Sequence, residues 1–244
     1  MNTLTSAVLG ELNRSFYAEH ADEFARTRRS WPPGFQLILP HLFPAANVLD
    51  LGCGNGRLLA FLAAQGWQGG YVGVDNSERL LASAEQTSRK LVGIHSSFVL
   101  ADLLSPNWPA SLVAHDYDAI VSLALLHHIP ARDSRARFLA NCATLLPVGG
   151  RLVLSTWQFM SSPRLRARVL PWHTIGLSDK DVEPGDYLLA WGVGAAGQRY
   201  CALVGQEELG ALAADAGLNS IAVFRSDGHE GNLNLYGVYA KPAA

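Results

Sequence analysis

Between Asn47 and Thr156 the chain repeats one local pattern: a short apolar run, a turn, then a run whose apolar residues recur at helical spacing. The apolar runs fall at 47–51, 70–74, 97–100, 118–123 and 150–156, and helical patterns at 56–65, 77–91 and 133–146 separate most of them. Runs this short and this apolar read as strands covered on both faces, and strands that alternate with helices argue for parallel pairing, because each helix carries the chain back to the same end of the sheet. A doubly wound α/β sheet with helices on both faces follows. A further helix at 206–216 precedes strands at 220–225 and 234–240; these two are too close for a helical crossover, so they form an antiparallel hairpin at the sheet edge.

Two segments stand outside this rhythm. From Leu4 to Ala25 the residues Val8, Leu12, Phe16 and Phe24 mark a leading helix, a polar stretch follows at 26–34, and a short helix is expected at 35–42. From Gln158 to Gln198 arginines, prolines and tryptophans precede a glycine-rich stretch at 191–197, which reads as an inserted lid or substrate lobe after the fifth strand. One domain is therefore expected over 1–244, with a helical cap (1–44), a binding core (45–157), the lobe (158–198) and a C-terminal helix and hairpin (199–244). A chain of 244 residues that is 49% hydrophobic is ample for such a core.

The first strand runs into Asp50-Leu51-Gly52-Cys53-Gly54-Asn55-Gly56 and then a helix. Glycines let the backbone turn tightly and let a ligand approach with no Cβ in the way. The spacing is Gly-x-Gly-x-Gly, not the Gly-x-Gly-x-x-Gly that seats a pyrophosphate on a helix N-terminus. A carboxylate just before the loop suits a cation better than a diphosphate. Asp75, followed by Asn76, ends the second strand, where its oxygens could accept both hydroxyls of a ribose; Asp102 follows the third strand, where it could accept an adenine amine with Leu103 beside the ring. Each aspartate alone could simply cap a helix or turn. All three map to the carboxyl ends of neighbouring strands, where ligands bind in open α/β sheets, and together they suit S-adenosylmethionine, which has an ammonium and a sulfonium and no phosphate.

These stretches (Val48 to Gly56, Val74-Asp75, Ala101-Asp102-Leu103 and Asp118 to His128) resemble the motifs of the class I S-adenosylmethionine-dependent methyltransferases. The resemblance implies a Rossmann-like, mostly parallel seven-stranded sheet of order 3-2-1-4-5-7-6 with its seventh strand antiparallel. It also implies that Ser122 and Leu123 lie beside the methionine end of the cofactor. A narrower resemblance, carried by Tyr17 to Arg28, Trp31-Pro32, Arg199-Tyr200, Glu207-Glu208-Leu209 and Asn232, is to the tRNA wobble-uridine carboxymethyl methyltransferases. It implies tRNA as an alternative substrate, Arg199, Tyr200 and Asn232 on the substrate side, and a small activator protein as a partner of some relatives.

Methyl transfer is an in-line displacement, so alignment of the reactants is the main task. A carboxylate acceptor needs no base, whereas a hydroxyl or carbon acceptor needs one, and His127 and His128 are the candidates; packing under the cofactor or capping the next helix is their structural alternative. Arg28 could pair with the cofactor carboxylate or be a solvated cation, and Tyr17 could close the first helix over the cofactor or be an ordinary helix contact. Cys53 is expected beside the cofactor as a small packing residue. Trp157, with Phe159, Trp172 and His173, could stack on an acceptor ring or seal the lobe.

The formal charge of -2 excludes a strong global attraction to nucleic acid, but the charge is unevenly spread: 132–168 holds seven arginines against Asp133, and acids dominate 179–230. An anionic substrate at one face or solvated surface would each account for this. The three cysteines are widely spaced, with no metal-ligand pairing, which suits a reducing cytoplasm and no metal. No apolar run nears the roughly 20 residues that span a bilayer. The expectation is a cytoplasmic enzyme with a small-molecule or tRNA acceptor; a cofactor-binding scaffold or sensor is the non-enzymatic alternative.

Overall fold

The structure, a computed structural model, describes residues 1–26, 30–113, 116–192 and 196–243. Its centre is a seven-stranded sheet built from β1 (Asn47–Leu51), β2 (Gly69–Asp75), β3 (Ile94–Leu100), β4 (Ala119–Leu123), β5 (Arg151–Trp157), β9 (Asn219–Ser226) and β10 (Asn234–Ala240). The order is β3-β2-β1-β4-β5-β10-β9, which counted within the sheet is the expected 3-2-1-4-5-7-6. β1 to β5 pair in parallel, and β10 runs antiparallel to both β5 and β9.

The pleat divides each central strand between two cores. Val48, Ala119, Val121 and Val153 join the core packed by α2 (Pro33–Leu42) and α3 (Arg57–Ala64), through Phe35, Ile38, Phe61 and Leu62. Leu49, Ile120, Leu152 and Leu154 face the other way, onto α5 (Arg132–Leu145) and α7 (Gln206–Asp215), through Phe138, Leu139, Leu209 and Leu212. Successive residues of a strand point to opposite faces, so an unbroken apolar run is what two covered faces require. Each such buried side chain contributes about 1.5–3 kcal/mol. Between β2 and β3 stands α4 (Glu78–Ser88), started by Ser77, whose hydroxyl accepts from the Leu80 N–H.

The leading helix α1 (Thr3–Arg26) lies against a second, antiparallel sheet of β6 (Val169–Leu170), β7 (Asp186–Trp191) and β8 (Gly197–Ala202), reached through the short α6 (Pro163–Arg166). Asn13 of α1 is the pin. Its Nδ2 donates to the backbone carbonyls of His128 and Tyr200, and its Oδ1 accepts the Tyr200 N–H at 2.8 Å. The segment after β5 thus does not end at Gln198: β8 continues to Ala202, and Tyr200 and Ala202 pack into the main core while Cys201 packs with Phe159 and Leu189. Among the described residues no helix is long and apolar enough to cross a membrane.

Candidate functional site

β1 ends where the glycine loop begins, and the loop is tied to the next strand: the N–H groups of Gly52 and Cys53 both donate to the Val74 carbonyl, at 2.8 and 3.0 Å. Gly54 and Gly56 have φ of +55° and +75°, the left-handed region that L side chains avoid. A Cβ on Gly56 would lie 3.1 Å from Ala84 Cβ on α4, whereas a Cβ on Gly54 would meet nothing within 4 Å. Gly56 is a packing glycine. Gly54 keeps an open space open.

That space is a cleft over the carboxyl ends of β1, β2 and β4, walled by Gly52, Gly54, Asp75, Asn76, Leu103 and Leu123 and roofed by α1 through Gly10, Asn13, Arg14 and Tyr17. Asp75 Oδ2 accepts the Gly54 N–H at 2.9 Å and Oδ1 the Ser77 N–H at 3.0 Å. Burial pushes its carboxyl up, and these backbone bonds pull it back. Asp102 accepts the Leu104 N–H on Oδ1 and the Arg14 guanidinium on Oδ2, at 3.0 and 2.6 Å. Both aspartates therefore organise turns and also face the cleft; a carboxylate oxygen has two acceptor positions, so each keeps capacity for a ligand.

A second cavity of about 310 Å³ adjoins the first and shares Gly54, Leu123, Tyr17 and His128 as wall. Asp50 lies here, 3% exposed, accepting the Tyr71 hydroxyl. Burial pushes the Asp50 carboxyl up to about 7; the Tyr71 bond opposes the rise and the nearby Asp75 charge adds to it. Cys53, Arg57, Trp157, Arg199, Asn234 and Tyr236 also line it. Burial raises the Cys53 thiol well above its ordinary range, so it stays protonated and packs, as expected.

The histidines sit on the turn after β4, and their partners assign their protons. The Trp157 N–H donates to His127 Nδ1 at 3.2 Å, so that nitrogen is an acceptor and the imidazole proton is on Nε2. His128 Nδ1 is 3.0 Å from the Tyr200 carbonyl and therefore carries the proton, leaving Nε2 to accept the Tyr17 hydroxyl at 2.8 Å. A neutral imidazole gains a second proton only on its acceptor nitrogen. That nitrogen faces backbone in His127, which does not fit the expected base role, and faces a cavity-lining tyrosine in His128. Ligand atoms of His127, His128 and Cys201 lie within 4.8 Å of one another. Burial lifts the Cys201 thiol to about 12, and both imidazoles hold the bonds just described.

Besides the packing glycine Gly56, three expected residues lie elsewhere. Tyr200 is fully buried, its hydroxyl donating to Asp186 Oδ1 at 2.6 Å; neighbouring strand residues face opposite ways, so Arg199 reaches the cavity and Tyr200 does not. Asn232 lies in the turn before β10 and points to Glu230, and Asn234 is the asparagine that faces in. Ser122 is fully buried and on neither cavity wall, whereas Leu123 is on both. Arg28 lies outside the described residues.

Sequence reading named Tyr17 over the cofactor but missed Gly10, Asn13 and Arg14 beside it on α1, and Arg57. Gly10, Asn13, Arg14 and Tyr17 stand at i, i+3, i+4 and i+7, one face of a helix, and that small or polar stripe was a readable signal. Arg57 opens α3, where the helix dipole disfavours a cation, which was another. Two of the seven arginines pair within the fold: Arg132 meets Asp215, and Arg135, its side chain 4% exposed, meets Glu183 and Glu208.

The first cleft offers carboxylates, an unobstructed glycine and apolar flanks, and the one arginine among the described residues that line it, Arg14, is held by Glu11 and Asp102. Such a donor set fits a cationic, phosphate-free nucleoside and is poor for a pyrophosphate.

Comparison with known proteins agrees. A family described as "Methyltransferase domain" matches residues 17–223. A protein of Encephalitozoon cuniculi named as a methyltransferase is 30% identical over 203 residues, which are 83% of this chain and 84% of that one. The mouse tRNA (carboxymethyluridine(34)-5-O)-methyltransferase is 26% identical over 68% of this chain, and the match spans only 23% of the mouse protein's length. Among solved structures, the Burkholderia thailandensis 1,6-didemethyltoxoflavin N1-methyltransferase superposes with a TM-score of 0.63 at 21% identity, covering 97% of this chain and 88% of that one, and shares the fold.

Proposed function

The chain belongs to the class I S-adenosylmethionine-dependent methyltransferases, and from that premise we propose that its acceptor is a small molecule bound in the second cavity. The observation that carries this reading is the shared wall: Gly54, Leu123 and His128 border both spaces, so a molecule in one faces a molecule in the other. Asp75, Asp102 and Leu103 would hold the nucleoside of the cofactor, and its methionine end would cross the shared wall at Gly54, its ammonium toward Asp50 beside the acceptor. When bound, the cofactor supplies an electrophilic methyl on a sulfonium.

The chain's own residues align and desolvate. Tyr17 and Asn13 fix α1 over the cleft through His128 and β8, which excludes water. For an acceptor that must lose a proton, the Tyr17 hydroxyl and His128 Nε2 form the route by which the chain takes it; an acceptor already anionic needs neither.

RNA is the second reading, supported by the mouse relative and by the resemblance at Tyr17 to Arg28. The small molecule is favoured because the arginine-rich segment is partly neutralised within the fold, at Arg132 and Arg135, leaving less charge for a phosphate backbone. Incubating the protein and labelled cofactor with extract from a strain lacking the gene, then separating RNA from small metabolites, tests the proposal. Label in a small metabolite supports it; label confined to tRNA overturns it.

A further inference from the structure

Arg199, on β8, is 7% exposed and makes no hydrogen bond or ion pair among the described residues; its Nε is buried without a partner. A buried guanidinium in that state is costly, and the other deeply buried arginine, Arg135, is met by two carboxylates. What holds Arg199 is aromatic: its guanidinium carbon lies 4.7 Å from the Trp157 ring centroid and 5.3 Å from that of Phe16. Cation–π contacts stabilise the charge and hold its plane while leaving the N–H donors unused.

Arg199 lines the second cavity, and so does Arg57. The Arg57 Nε is likewise buried without a partner, while its Nη2 donates to the Ser30 carbonyl. The carboxyl on the same wall is Asp50, already bound by Tyr71 and raised to about 7 by burial. Among the described residues that line it, the cavity therefore presents two guanidinium groups against the single carboxyl of Asp50, which the cofactor ammonium would engage.

We infer that the acceptor carries a carboxylate, that Arg199 binds it, and that it serves as an anchor while another atom of the acceptor takes the methyl. This rests on the reading of the second cavity as the acceptor site. A guanidinium edge matches a carboxylate with two parallel N–H···O bonds. Oxygens so engaged are poor nucleophiles, so the clamped group orients the acceptor and the methyl goes elsewhere on it.

The test is calorimetric titration of protein saturated with S-adenosylhomocysteine, using benzoate and nicotinate against benzamide and nicotinamide. The acids are expected to bind at least tenfold more tightly than the amides. Arg199→Met should erase that preference while retaining S-adenosylhomocysteine affinity, and Arg199→Lys should restore part of it. No preference for the acids in the unmodified protein overturns the inference, whether or not the variants fold. So does a preference that survives in Arg199→Met. A product whose label is released by mild alkali, as a methyl ester is, overturns the anchor role. Failure of S-adenosylhomocysteine itself to bind would instead strike the reading of the first cleft, so the two failures are distinguishable.

Discussion

The Tyr71 hydroxyl on β2 donates to Asp50 Oδ2 on β1 at 2.5 Å, across two adjacent parallel strands and with both residues buried. This bond holds a carboxyl in place just before the glycine loop, in surroundings that raise it from 3.8 to about 7. Because the folded chain keeps this proton more tightly than the unfolded chain, the group's contribution to stability falls as pH rises from about 4 through 7. Asp50→Asn should remove that loss. In urea titrations the variant should match the parent near pH 4 and be more stable above pH 7, by on the order of 2–4 kcal/mol. Equal stabilities at pH 8 would refute this account of Asp50.

The same carboxyl links cofactor binding to pH. An ammonium arriving beside Asp50 favours its charged form, so binding should release close to one proton at pH 6 and almost none at pH 8. Calorimetry of S-adenosylhomocysteine in buffers of different ionisation enthalpy reads this directly. Asp50→Asn should abolish the release and weaken binding roughly tenfold or more, the effect of losing a charged hydrogen bond.

Gly54 and Gly56 should fail differently when changed to alanine. Gly56→Ala drives a Cβ toward Ala84 of α4 at positive φ, and should lower the melting temperature clearly. Gly54→Ala carries the left-handed strain, about 1–2 kcal/mol, with no clash inside the protein. Its Cβ projects into open space on the wall of both cavities, so S-adenosylhomocysteine affinity should fall far more than stability does. Parallel thermal and binding measurements on the two variants check the contrast.

Arg135 joins α5 to the segment just before β7, to β8 and to α7. It pairs with Glu183 and Glu208 and donates to the Tyr200 hydroxyl and the Ile129 carbonyl. Arg135→Met should cost about 3 kcal/mol, because it leaves Asp186 and its neighbours without a buried counter-charge. Denaturant midpoints provide the measure, and a loss below about 0.5 kcal/mol would show the network to be dispensable.

The sheet, its order and the glycine loop were legible because each is written in adjacent residues. Apolar runs at strand length, a turn that needs positive φ, and carboxylates at strand ends are local requirements; Gly54, Asp75 and Asp102 line the first cleft, and Asp50 lines the adjoining cavity. The acceptor side was harder to read. Arg199 and Tyr200 are neighbours that the sequence cannot rank, and the pleat of β8 sends one into the cavity and the other onto Asp186. Asn13 and Tyr200 are 187 residues apart, yet their bond seats α1 over the cleft. Composition likewise showed arginines in one stretch and acids in another without showing that Arg132 and Arg135 face Asp215, Glu183 and Glu208. The sequence by itself determined the strands, the loop and the class of cofactor, since these depend on backbone conformation and short-range spacing. Only the tertiary structure decided which side chains meet in the second cavity and which charges remain unpaired there, because both depend on contacts between segments that are distant along the chain.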